Sequence, residues 1–203
     1  MAFLRRSARP GRAGARGRGA ASLLVLALCV ALLGAIAPAT GQGLSEVEVQ
    51  AGFVYNFARF VEWPPDAHPA KDAPFVIAVL GDPELARALE SGLAGKRLRG
   101  HPVRVVETRE LADLDGAHVA WIGEGWAVRL PEVLRRLGDR PVLTVSAIPG
   151  FSGRGGIIEL YRAGNRFRFS IDEAEAARRR LRLSSRLLSL ARPRAAGEGR
   201  ADR

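Results

Sequence analysis

From Ser45 onward, apolar and polar positions recur with two periods, about 3.6 residues and 2 residues, and the switching between them lays out the chain. Ser45-Glu46-Val47-Glu48 fits a capping box, in which the serine accepts from the first turn and Glu48 reaches back. The helix it opens is predicted to run to about Val61. Val47, Ala51, Val54, Ala58 and Val61 form one stripe, widened by Phe53, Phe57 and Phe60, while Tyr55, Arg59 and Glu62 face outward. Trp63-Pro64-Pro65 ends it, because a residue before proline is pushed away from helical angles. After a polar connection, Phe75 to Leu80 reads as a buried strand. Asp82 caps and Pro83 opens the next helix, whose core positions are Leu85, Ala88, Leu89 and Leu93. A basic loop spans Gly95 to Pro102. Strands at Val103 to Glu107 and Ala117 to Ile122 then flank a short helical turn at Leu111 to Leu114. Leu130 to Leu137 reads as a further helix.

The stretch from Val142 to Ile171 carries the densest pattern. Val142 to Val145 is a strand apolar enough to be buried on both faces. Pro149 and the glycines at 150, 153, 155 and 156 stop regular structure, and Ile157 to Tyr161 resumes as a strand. Ala163-Gly164-Asn165 supplies a hairpin turn, and Arg166 to Ile171 returns with Phe167, Phe169 and Ile171 inward. Asp172, with Glu175 three residues on, caps a helix expected through Arg180, and Leu183, Leu187 and Leu190 read as a last apolar stripe. Strands alternating with helices, then a hairpin, predict an α/β layered domain: a mostly parallel sheet flanked by helices, with an antiparallel edge hairpin.

The first forty residues read differently. Six arginines between Arg5 and Arg18 precede an apolar run from Ala20 to Ala37, and Ala37-Pro38-Ala39 is small at both positions a signal peptidase inspects. This predicts a signal peptide over residues 1–39, cleaved near Ala39, and export to the periplasm. A retained membrane anchor is the alternative, and Arg5-Arg6 leaves Sec and twin-arginine export both open. The predicted organisation is then a signal peptide at 1–39, one α/β domain at 44–191 and a disordered basic tail at 192–203. Removing the signal also changes the charge. The chain has 31 basic and 21 acidic residues, and without the six N-terminal arginines 25 face 21. A nucleic-acid partner loses its electrostatic support. Cys29 lies in the predicted signal and is the only cysteine, so the exported chain is expected to form no disulfide.

Candidate chemistry is sparse. Gly150 and Gly155 have Walker A spacing, but Gly156-Ile157 stands where lysine and a hydroxyl residue are required. Gly153-Arg154-Gly155 opens a dinucleotide pattern that Ile158 breaks, and Arg154 sits where the closing glycine of a nucleophile elbow belongs. The loop therefore reads as a flexible corner, with partner contact through Phe151 and Arg154 as the functional alternative. His68, His101 and His118 have no metal-ligand spacing, and no metal or cofactor is expected. Asp82 and Glu124 would follow the first and third strands on the carboxyl edge of the sheet, where α/β folds bind small ligands. The cap role explains Asp82 without a ligand. Phe60 and Trp63 stand where the first helix stops, so one of them is expected to stay partly exposed as a protein-contact anchor. No catalytic residue is predicted, and a hydrolase lacks any nucleophile, base or metal set.

Several motifs together resemble the YfiR family of periplasmic proteins. Ala51-Gly52-Phe53-Val54-Tyr55-Asn56-Phe57-Ala58-Arg59-Phe60-Val61-Glu62-Trp63-Pro64 is similar to its opening signature. Pro141 to Phe151, Gly155-Gly156-Ile157-Ile158, Arg168-Phe169 and Leu183-Ser184-Ser185-Arg186-Leu187-Leu188 resemble its later ones. The resemblance spans about residues 46 to 191. It implies a non-enzymatic regulator that binds the periplasmic part of an inner-membrane GGDEF diguanylate cyclase and represses it, lowering cyclic di-GMP and biofilm formation. It also implies that an OmpA-like outer-membrane lipoprotein can sequester the repressor. Members with regulatory disulfides use cysteines that this chain lacks, so redox sensing does not carry over. Contact through Phe60, Trp63, Phe151 and Arg154 is the expected mode, a homodimer stays open, and a small-ligand module using Asp82 and Glu124 is the alternative.

Overall fold

The computed structural model describes residues 44–193; the predicted signal and residues 194–203 of the tail lie outside them. The capping box forms: the Glu48 carboxylate accepts from Ser45 N at 2.7 Å and opens α1 (Glu46–Arg59). This helix stops before its apolar stripe does. Val61 and Glu62 leave it as β1, which pairs antiparallel with a strand from the far end of the domain.

The layout of the middle of the chain follows the pattern. β2 (Phe75–Leu80), α2 (Pro83–Leu93), β4 (His101–Thr108), β5 (Val119–Ile122), α3 (Leu130–Leu137), β6 (Leu143–Ser146), β7 (Ile158–Ala163) and β8 (Arg166–Ile171) all occupy predicted positions. The basic loop before β4 holds one unpredicted strand, β3 (Arg97–Leu98). The seven strands run in the order β3-β4-β2-β5-β6-β7-β8. β4, β2, β5, β6 and β7 are mutually parallel, and antiparallel pairs close both edges.

The strand period of two sorts the sheet's side chains between two cores. Phe75, Ile77, Val79, Val119, Trp121, Leu143 and Val145 pack with α1 and α2 on one face. Ala78, Leu80, Ala120 and Ile122 pack with α3 and with Ile148 and Phe151 on the other. Helices on both faces make this an α/β domain, and every residue of β2 is buried because both faces are covered.

The C-terminal region departs most from its pattern. α4 (Glu173–Arg178) is shorter than its cap suggested, since Arg180 adopts a left-handed φ of 58°. β9 (Arg182–Leu183) then crosses back to β1, with Ser184 N donating to Phe60 O at 3.0 Å. α5 (Ser185–Leu190) buries Leu187 but leaves Leu190 59% exposed, so the predicted three-leucine stripe is not one face. Two-residue strands satisfy backbone groups through distant partners, and no local period announces them.

Candidate functional site

The glycine-rich segment folds into a corner fixed from both ends. Ser146, at the end of β6, donates to Ile122 O at 2.6 Å and accepts from Ile148 N at 3.0 Å. The buried Thr144 hydroxyl accepts from Ile157 N at 2.9 Å. Between them Phe151 turns inward and is fully buried. Its ring fills the space that a Cβ on Gly156 would need, so glycine at 156 is required by a close approach.

Glu159 completes the corner from β7. Its carboxylate is 2% exposed and accepts from Gly150 N at 3.1 Å and from the Ser152 hydroxyl at 3.4 Å. The Ser152 and Ser170 hydroxyls lie 2.9 Å apart. Together they floor a cleft of about 570 Å³ between the glycine corner, β8 and α5, with Glu173 and Leu188 on its walls. Arg192 N donates to Phe169 O at 2.8 Å and Tyr161 donates to Arg192 O at 3.0 Å, which holds the end of α5 against the hairpin. Concave surface with a few convergent polar groups is where proteins bind partners or ligands. The strand pattern passes over Glu159, although one acid within the apolar run Ile157 to Tyr161 is a signal; Leu188 is marked only as the end of the closing motif, and Ser170 carries no signal.

Beside the cleft, α4 carries an ion cluster. Arg179 is fully buried and donates to Glu175 at 2.8 Å, while Arg178 binds Glu175 at 2.6 Å and also reaches Asp139. Burial alone would raise the Glu175 carboxyl, but hydrogen bonds from Arg178 and Arg179, with their charges, outweigh it and hold Glu175 below its ordinary value.

The sequence-predicted contact residues do not gather at one place. Trp63 and Phe151 are 5% and 0% exposed, so both are core residues: surface contact through Phe151 is corrected, and of the pair Phe60 and Trp63 it is Phe60 that keeps partial exposure. Trp63 packs edge-on to Phe75 at 5.1 Å and donates to His118 O at 3.3 Å. Phe60 is half-buried, with the Arg186 guanidinium 5.7 Å over its ring. Arg154 is exposed and points away from the cleft to Ala127 O, 2.9 Å away.

The carboxyl edge near Asp82 is already occupied. Asp82 accepts from Leu85 N at 3.1 Å as the α2 cap and from the Trp121 indole at 3.0 Å. The Trp126 indole lies against Gly81, where a Cβ would sit 2.5 Å from its nitrogen, and Arg129 stacks on Trp126 at 4.5 Å. Glu124 is exposed in the turn leading to Trp126.

Among the described residues no set of His, Cys, Asp and Glu side chains is arranged to hold a metal ion, and no helix is long and apolar enough to cross a membrane. A search of curated proteins finds no match. A family model described as YfiR/HmsC-like matches residues 47–192, which takes in every strand and helix described above except the first residue of α1. The chain therefore belongs to the YfiR/HmsC-like family, whose members are non-enzymatic, periplasmic regulatory proteins that act through a protein partner.

Proposed function

We propose that this protein binds the periplasmic part of a membrane-bound diguanylate cyclase and holds it inactive, lowering cyclic di-GMP and biofilm formation. It performs no catalysis of its own. A regulator of this kind works by binding the inactive state of its target better than the active one. The observation that carries the reading is the cleft between the glycine corner, β8 and α5, in a chain of this family. The contact face comprises Leu188 in the cleft wall, with Phe60, beside Arg186 of the same helix as Leu188, as a flanking contact; Arg154 is turned toward Ala127 and lies outside it. In the same reading residues 1–39 are a signal peptide cleaved near Ala39, and an OmpA-like outer-membrane lipoprotein competes for the released protein. The carboxyl edge between β2 and β5 is not proposed as a ligand site, since both Asp82 oxygens already accept hydrogen bonds, from Leu85 N and from Trp121.

The test is affinity capture of the tagged protein from membranes, with cyclic di-GMP measured in cells lacking the gene. A GGDEF protein should be captured, and cyclic di-GMP should rise on deletion. Leu188→Glu should weaken capture by about 2 kcal/mol, roughly thirtyfold, in protein that still folds. Unchanged cyclic di-GMP in the deletion strain would sink the reading.

A further inference from the structure

His68, His101 and His118 are far apart in sequence, yet they converge at the amino edge of the parallel sheet. His118 precedes β5 and stacks on Phe75 at 4.5 Å, and Phe75 in turn meets Trp63. His101 opens β4, beside the start of β2, and His68 follows the short turn after Trp63. Their ring nitrogens do different work. His101 Nδ1 faces Ala73 O at 3.0 Å and His68 Nε2 faces Trp63 O at 3.2 Å, so both must donate. His118 Nδ1 accepts from Val76 N at 3.1 Å. Only an unprotonated nitrogen can accept, so this contact assigns the neutral ring with its proton on Nε2.

We propose that His118 is a proton-operated latch: on protonation its Nδ1 becomes a donor facing the Val76 N–H, and the Trp63–Phe75–His118 stack loosens. The other two histidines keep their donor bonds when charged and add only repulsion. Burial is the main cause that keeps the His118 ring below the ordinary histidine value, followed by the charges on His101 and His68. The Val76 N–H, aimed at Nδ1, can be accepted only by the neutral ring and so opposes protonation as well.

Arg99, from the turn between β3 and β4, lies 5.7 Å over Trp63 and adds positive charge. Asp66 is paired with Arg180, and Asp115, on the approach to β5, is paired with Arg136 and Arg140. Loosening at Trp63 reaches β1, and through the β1–β9 pair it reaches α5, a wall of the cleft. That last step rests on the function proposed above; the latch itself does not.

The test is amide exchange of the full protein between pH 7.5 and 5.5, corrected for the intrinsic rate. Protection of the Val76 N–H should fall as pH drops below about 6.5, by about tenfold for each pH unit that His118 lies below that value. His118→Asn places an oxygen acceptor near Nδ1 that does not titrate, so its Val76 protection should be flat. If that variant does not fold, ring titration by NMR decides: His118 should titrate below the ordinary histidine value, and His101→Gln should raise it. Val76 protection independent of pH in the wild type, the same slope in His118→Asn, or a His118 ring that titrates at or above the ordinary histidine value would overturn the latch. Loss of cyclase binding with an intact latch would count only against the proposed function.

Discussion

Phe151 shows how one side chain can be required for reasons opposite to those its surroundings suggest. A phenylalanine in a glycine-rich loop looks like a surface anchor, but here it is the plug that makes the loop a corner. Phe151→Ala is expected to cost about 3–5 kcal/mol, the usual range for deleting a core aromatic. Gly156→Ala pushes a methyl into the same ring and should cost about 1–3 kcal/mol by overpacking. Both should appear as lower urea midpoints, and a Gly156→Ala protein as stable as the wild type would show that the ring can move aside. Arg154→Ala should leave the midpoint unchanged, since Arg154 is exposed and holds one carbonyl at the surface.

At the scale of elements, α4 depends on a single carboxylate. Glu175 balances the buried Arg179 and also ties Arg178. Glu175→Gln leaves a buried guanidinium without a counter-charge, and removing one partner of such a pair costs about 3–5 kcal/mol. The pH dependence has a definite sign. The folded-state value of Glu175 is depressed, so its contribution is complete above the ordinary carboxylate range and is lost as pH falls through the lowered value. Urea midpoints of wild type and Glu175→Gln should therefore converge in acid. This window lies below about 4.5, apart from the histidine window that opens near 6.5, so one stability profile separates the two.

For the whole molecule, the described fold is held without any covalent crosslink, because residues 44–193 contain no cysteine. Its melting temperature should be the same with and without reductant. A shift would mean that Cys29, which lies outside the described residues, bears on stability. Two cores on opposite faces of one sheet supply the stability instead, and each fully buried large apolar side chain contributes about 1.5–3 kcal/mol.

The elements whose determinants are local were fixed by sequence. The Ser45 capping box, the Asp82 cap, the alternation in Arg166 to Ile171 and the apolar run of β2 depend on residues within one or two turns of each other. The ordered family motifs carried the family in the same way. Exposure and convergence were decided only by the tertiary structure. Trp63 is buried because Phe75 and the His118 carbonyl arrive from elsewhere, and Phe151 because the loop folds it beneath Gly156 and against the core under α3. β1 and β9 exist only as each other's partner across some 120 residues of chain. His101 and His118 share one edge because β2, β4 and β5 run parallel, which brings the start of each there, and His68 joins that edge from the turn after Trp63. Local hydrogen bonding and period set the elements; long-range packing sets what each side chain faces, and that sets the site.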